Sequence, residues 1–199
     1  MSYTFKREYN DPQQYYWFEN GLSQTELIKF NNLIHGLEYE NATIIGDSAE
    51  NSAPSLDVRS SKIKWIPHNS EWDWLYNKFK DMISEANNEL WKFNIHDIIE
   101  NIQYTEYHAT DDGHYDWHQD IGPGDASLRK ISLTVQLTDS ESYTGGDLEI
   151  WQGGKVHDPT PRGSGIVIIF PSYMMHRVSP VTRGVRRSLV LWVGGQHYK

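Results

Sequence analysis

The sequence predicts an α+β fold, with a double-stranded β-helix (jelly-roll) core and N-terminal supporting helices. Three observations carry this. Apolar residues recur with a 3.6-residue period as far as Leu90 and in short β-type runs after residue 97. The later runs are separated at fairly even intervals by Gly, Pro, Asp and Ser clusters, which favours a double-sheet jelly roll over a parallel sheet. No glycine-rich strand-to-helix turn of the nucleotide-binding kind is present. A chain of 199 residues suffices for one domain and can bury about 70% of its unfolded surface.

The elements follow in order. Ser23-Gln24-Thr25-Glu26 is a capping box; Leu27, Phe30 and Ile34 continue it at helical spacing, and Gly36 is a natural stop. Residues 37–60 are mixed and polar, and read as loop around a short strand or two. Ser61 to Ile66 reads as a strand ended by Pro67. Ser70 with Asp73 opens a second helix, whose stripe is Trp72, Leu75, Phe79, Met82/Ile83, Ala86 and Leu90. Six strands are then expected: Ile99–Tyr107, Tyr115–Asp120, Ile131–Leu137, Asp147–Trp151, Ile166–Phe170 and Arg186–Val193. Tyr143-Thr144 reads as a hairpin tip and Asp111-Asp112 as a solvated turn.

Composition removes several functions. With no cysteine, disulfide frameworks, thiolate zinc sites, iron–sulfur clusters and thiol catalysis are excluded. The first residues form no apolar leader and no run approaches a membrane span, so a cytoplasmic location without membrane attachment is expected. The net charge of −9 argues against bulk binding to nucleic acid. It is unevenly placed: residues 152–199 carry seven Lys/Arg and one acid, a net of +6, and the rest nets −15. A basic C-terminal stretch in an acidic chain suits either ordinary surface solvation or the holding of a small anion.

The chemistry lies in two segments, His114-Tyr115-Asp116-Trp117-His118-Gln119-Asp120 and Tyr173-Met174-Met175-His176-Arg177-Val178. Residues i and i+2 of a strand share a face, so His118 and Asp120 can offer an imidazole and a carboxylate to one ion. His176 from a neighbouring strand would complete a set of two His and one carboxylate, which leaves three positions of an octahedral Fe(II) open. His114 and Asp116 offer the same spacing as a competing pair. Trp117, beside His118, is either core or a wall of a substrate cleft.

Downstream the chain reads His176-x-Val178-x-Pro180-Val181-x-x-Gly184-x-Arg186 and closes on Trp192. With Tyr107, Gly113, Tyr115, His118, Asp120 and Gly145-Gly146-Asp147, this resembles the Fe(II)/2-oxoglutarate-dependent oxygenases, and within them the prolyl 4-hydroxylase-like branch that includes PKHD-type hydroxylases. The likeness is strong over residues 98–193 and weaker over the Arg59-Ser60-Ser61 strand and the helix ending near Trp91. It departs in two places. The Tyr107-to-His118 spacing is about two residues longer than usual for the branch, and Gln136 stands where many relatives have Tyr.

The resemblance implies a single oxygenase domain over 1–199, with 1–97 as helical support and outer strands and 98–199 as the jelly-roll catalytic core. It implies a dioxygenase that couples Fe(II), 2-oxoglutarate and O2 to hydroxylation of a substrate C–H bond, releasing succinate and CO2. His118, Asp120 and His176 would bind the metal, and Arg186 the distal carboxylate of 2-oxoglutarate. Tyr107, Gln136 and Ser188 would support it, with Ser132 and Thr134 sharing the face of Gln136. Alternation favours Arg186 over Arg187, because Arg187 shares its side with Leu189, Leu191 and Val193. The branch points to a prolyl residue in a protein or peptide as substrate. A small-molecule or nucleic-acid oxygenase of the same chemistry and a silent binding module are the alternatives.

Overall fold

The computed structural model describes residues 15–41, 58–152, 155–156 and 160–197; the remainder of the expected loop region, 42–57, lies outside them. Strand β1 (Tyr16–Phe18) leads to helix α1 (Gln24–Ile34). The capping box is present: Ser23 N–H donates to Glu26 Oε2 at 2.8 Å and Glu26 N–H returns to Ser23 Oγ at 3.4 Å. Short strands β2 (Glu40–Asn41) and β3 (Arg59–Ser60) flank the undescribed stretch, and β4 (Lys62–Ile66) follows.

Helix α2 (Asp73–Ala86) buries Leu75, Phe79, Ile83 and Ala86 of the predicted stripe, and Tyr76 beside them. Its start differs from expectation. Ser70 does not cap it; instead Asn69 Oδ1 accepts from the N–H groups of Glu71 and Trp72 at 3.1 and 3.3 Å. Its end also differs, since Asn87–Trp91 continue as a π-turn closed by Lys92 in a left-handed conformation (φ 55°). Leu90 is therefore half-buried and lies beyond the α-helical stripe.

The remaining strands are β5 (Ile95–Ile98), β6 (Ile102–His108), β7 (His114–His118), β8 (Arg129–Gln136), β9 (Thr144–Gly145), β10 (Leu148–Gln152), β11 (Lys155–Val156), β12 (Val167–Pro171), β13 (His176–Val178), β14 (Val181–Arg183) and β15 (Val185–Gly195). The strand expected over 99–107 begins only at Ile102, as β6, and a separate β5 precedes it across the break at Ile99–Asn101; both pair with the long β15. The break places the Glu100 carboxylate against Arg129, whose Nε donates at 2.6 Å. Tyr143 is not an open hairpin tip: it is buried, and Thr144 pairs with Arg183.

All pairings are antiparallel. The larger sheet runs β1-β12-β8-β15-β6-β4-β2, with β5 alongside the end of β15; the smaller runs β11-β10-β13-β7-β3; β9 and β14 form a separate ribbon. This is the double-stranded β-helix architecture. One face of the larger sheet carries Ile66, Ile102, Tyr104, Ile131, Leu133, Val135, Leu189 and Leu191 into a core shared with Phe30, Trp72 and Phe79 of the helical layer. Tyr76 fixes that layer, its hydroxyl donating to Ile66 O at 2.7 Å and accepting from Ile102 N–H at 3.0 Å. The opposite face looks toward the smaller sheet, where Ile168 and Phe170 meet Leu148 and Ile150. Among the described residues no helix is long and apolar enough to cross a membrane.

Candidate metal centre and cosubstrate pocket

Strands β7 and β13 pair with His118 opposite His176, and the register shifts before Tyr115 meets Val178. That bulge sets which residues look inward. Three residues on β7 span two on β13, so Tyr115 and His118 fall on the same side, and their rings stack with centroids 3.5 Å apart. The simple i, i+2 alternation expected along His114, Asp116 and His118 is therefore broken. Asp116 is exposed, and His114 Nδ1 bonds to Asp112 O at 2.6 Å. Asp120 lies just past the strand end, held by its N–H to Ser172 O at 2.9 Å.

His118, Asp120 and His176 place their ligand atoms within 4.8 Å of one another, the one such group of His and carboxylate side chains among the described residues. His118 Nε2 is 3.8 Å from Asp120 Oδ1 and His176 Nε2 is 3.7 Å from Asp120 Oδ2. Each Nδ1 bonds to a carbonyl two residues upstream, that of Asp116 at 2.7 Å and that of Met174 at 2.8 Å. A carbonyl only accepts, so Nδ1 carries the proton and Nε2 turns its lone pair to the shared centre. Burial, with His176 beside it, pushes His118 down to about 3, so the imidazole is neutral and free to ligate. Burial alone would raise Asp120; the two imidazoles and the Ser132 hydroxyl outweigh it and hold the carboxyl below its usual range.

The triad opens on a cavity of about 200 Å³ between the sheets. At one end stands Arg186, 1% exposed. Its Nη1 donates to Ser188 Oγ at 3.2 Å, its guanidinium lies 5.4 Å from the Tyr107 ring, and its Nε has no partner. No carboxylate pairs with it among the described residues. A permanently charged, desolvated fork with donors to spare calls for a carboxylate ligand. Gly146 makes room for it: a Cβ there would come within 3.0 Å of Arg186 Cδ. Tyr107, Ser188 and Thr134 line the same cavity. Gln136, directly across from Ser188, is buried with Oε1 unpartnered but is not part of the lining. Arg187 faces the other way and donates to Glu106 Oε1 at 2.9 Å.

The other end has residues that sequence reasoning left without a role. Arg59 donates to Gln103 Oε1 at 2.8 Å and lies over the Tyr115 ring. Arg129 lies 3.9 Å from the centroid of Trp192, whose indole N–H is buried and unpartnered. All five line the cavity. Arg59 and Arg129 sit at strand starts far apart in sequence, so no local spacing could have joined them. Trp117 takes no part in this lining; its ring packs edge-on to Trp151 beneath Arg177 on the outer side of the smaller sheet.

Residues 102–194 match the model of the 2OG-Fe(II) oxygenase superfamily. The match takes in just under half of the chain, and over that stretch the chain is similar to this superfamily. A PKHD-type hydroxylase of Synechococcus sp. (strain CC9311) is 38% identical over 82 residues, 41% of this chain and 37% of that protein. The match thus spans little more than a third of that relative's length. Among solved structures, the chain superposes on a Trichoplax adhaerens prolyl hydroxylase in complex with a hypoxia inducible factor peptide fragment, with TM-score 0.71, 19% identity and coverage of 92% and 84% of the two chains. A Pseudomonas putida prolyl-4-hydroxylase gives TM-score 0.66 at 18% identity, covering 92% and 93%. At such identities the likeness establishes the fold. The family's cofactors are Fe(II), 2-oxoglutarate and O2. The donor set fits: two neutral imidazoles and one carboxylate suit Fe(II), and the uncompensated Arg186 suits a dicarboxylate.

Proposed function

We propose that this oxygenase is one domain that hydroxylates a C–H bond of a prolyl residue in a protein or peptide, consuming 2-oxoglutarate and O2 and releasing succinate and CO2. The observation that carries the reading is the pairing, in one cavity, of the His118–Asp120–His176 group with a buried guanidinium that has no carboxylate of its own. Fe(II) held by the three side chains would supply the oxygen activation that no amino-acid side chain provides. His118 and His176 keep their Nδ1 protons on backbone carbonyls and present Nε2 to the metal. Arg186 fixes the distal carboxylate of 2-oxoglutarate through two or more N–H donors, and Ser188 and Tyr107 hold the guanidinium in place. Leu148, Phe170 and Val178 wall the space between and keep it dry.

Two features support a peptide substrate. The cavity continues past the triad to Arg59 and Arg129, and there the indole N–H of Trp192 lacks an acceptor that a peptide carbonyl would supply. The Trichoplax neighbour is itself a peptide complex. The test incubates iron-loaded protein, 2-oxoglutarate and O2 with a panel of proline-containing peptides, reading succinate and the gain of one oxygen on a prolyl residue. Both products are expected to need Fe(II) and O2 and to vanish in His118→Ala. Protein that binds metal and 2-oxoglutarate yet makes no succinate with any substrate would overturn the reading in favour of a silent module.

A further inference from the structure

We propose that Ser132 is a positioning residue for the Asp120 carboxylate, driven by a one-way hydroxyl relay that begins at Ser172. The proposal rests on the metal-site reading above. Ser132 Oγ donates to Asp120 Oδ2 at 2.6 Å and lies 2.9 Å from Ser172 Oγ, and both serines are fully buried. A serine hydroxyl has one proton. Ser132 gives its proton to the carboxylate, so it must accept from Ser172, and the donors run Ser172 to Ser132 to Asp120.

The relay is anchored at both ends. Asp120 N–H donates to Ser172 O and Ser172 N–H to Lys130 O, each at 2.9 Å. Three segments thus converge on one carboxylate: β8, the turn after β12, and the stretch after β7. The sequence put Ser132 on the cosubstrate face with Thr134 and Gln136. Its hydroxyl is instead spent on Asp120, and Ser132 is not part of the cavity lining.

The chemical consequence is a division of labour between the two carboxylate oxygens. Oδ2 is engaged in a short charge-assisted bond. Oδ1 accepts no hydrogen bond among the described residues. A metal held here would therefore meet Oδ1, the oxygen that Ser132 leaves free. With two imidazoles this uses three positions and leaves three of an octahedron for a two-point cosubstrate and a third ligand. Without the Ser132 hydroxyl, the carboxylate is free to turn about χ2, and Oδ2 is left unsatisfied in a dry site.

The test is a titration of the metal-free protein with Mn(II) or Co(II), with affinity read by calorimetry and the Co(II) absorption spectrum reporting coordination. Ser132→Ala is expected to weaken binding about 10- to 100-fold, the usual range for removal of an outer-shell partner. Ser172→Ala should weaken it by a smaller measurable factor. Ser132→Thr, which keeps the hydroxyl, should recover most of the affinity. A folded Ser132→Ala protein within about twofold of wild type would overturn the relay, because removing the partner should cost far more. Should Ser132→Ala not fold, an unchanged affinity in Ser172→Ala overturns it instead. Wild-type protein that binds neither ion breaks the metal-site reading itself, and with it the relay.

Discussion

The two faces of strand β15 are built from alternating residues of one segment yet obey different rules. Toward the helices stand Leu189, Leu191 and Val193, in contact with Ile131, Leu133 and Val135 of β8 and with the helical layer. Toward the smaller sheet stand Arg186, Ser188, Val190 and Trp192, which line the cavity. On the first face no side chain but Arg187 needs a specific partner, and packing density decides the energy. On the second, Arg186 Nε and Trp192 Nε1 are buried without a protein partner and border the cavity, where a ligand or water would satisfy them. The same backbone thus carries a face that stabilises the fold and a face whose buried donors await a ligand.

The comparison breaks most visibly at Arg186. Arg186→Ala should weaken 2-oxoglutarate binding by about 2–5 kcal/mol, roughly 30- to several-thousand-fold in Kd, while divalent metal binding is largely kept. Arg187→Ala, one residue along on the other face, should leave the 2-oxoglutarate Kd nearly unchanged; calorimetry on both variants checks the pair. The opposite pattern would exchange the roles of the two faces.

A change on the helix-facing side should show the reverse signature. Leu133→Ala deletes a fully buried side chain from the shared core and should cost about 2–5 kcal/mol of unfolding free energy, read by denaturant titration. The protein that remains folded should bind 2-oxoglutarate as wild type does. A specific loss of binding beyond the folded fraction would show that the two faces are coupled.

The smallest effect sharpens the contrast at its exception. Glu106 sits with Tyr104 on the helix-side parity of β6, as a buried acid. Burial alone would raise it, but the Tyr104 hydroxyl, Arg187 and His108 outweigh burial and hold it at about 2, against an ordinary 4.5. The unfolded chain takes up the proton first, so stability that is complete above pH 4.5 is lost as pH falls toward about 2. Glu106→Gln should lower the melting temperature at neutral pH and flatten the acid limb between those two values. Thermal melts across the range check both.

Much of this architecture was legible because strands advertise themselves by period. The alternation of β8 and β15, and the face on which Arg186 lies, follow from counting by twos. Three things did not. The β7 bulge moves Tyr115 onto the side of His118, and no local composition announces a bulge. At the break at Ile99–Asn101, Glu100 meets Arg129, which is remote from it in sequence. Ser132 looked interchangeable with Thr134, because a hydroxyl shows its partner only once Asp120 and Ser172 are brought beside it. Helix α2 illustrates the same limit on a smaller scale: Ser70 has the right chemistry to cap it, but Asn69 has the right position.

The upstream carbonyls that hold the two imidazoles have a consequence for how the protein assembles. Because Asp116 O and Met174 O lie within the same segments as the imidazoles they hold, each histidine is set to its tautomer by its own stretch of chain. What remains to be decided is the pairing of His118 with His176. A slip of one residue between β7 and β13 would turn one imidazole to the wrong side. A metal that binds only the correct pairing would therefore favour that strand register. At one hundred times its dissociation constant it would favour that pairing by about 2.7 kcal/mol over every arrangement that cannot bind it.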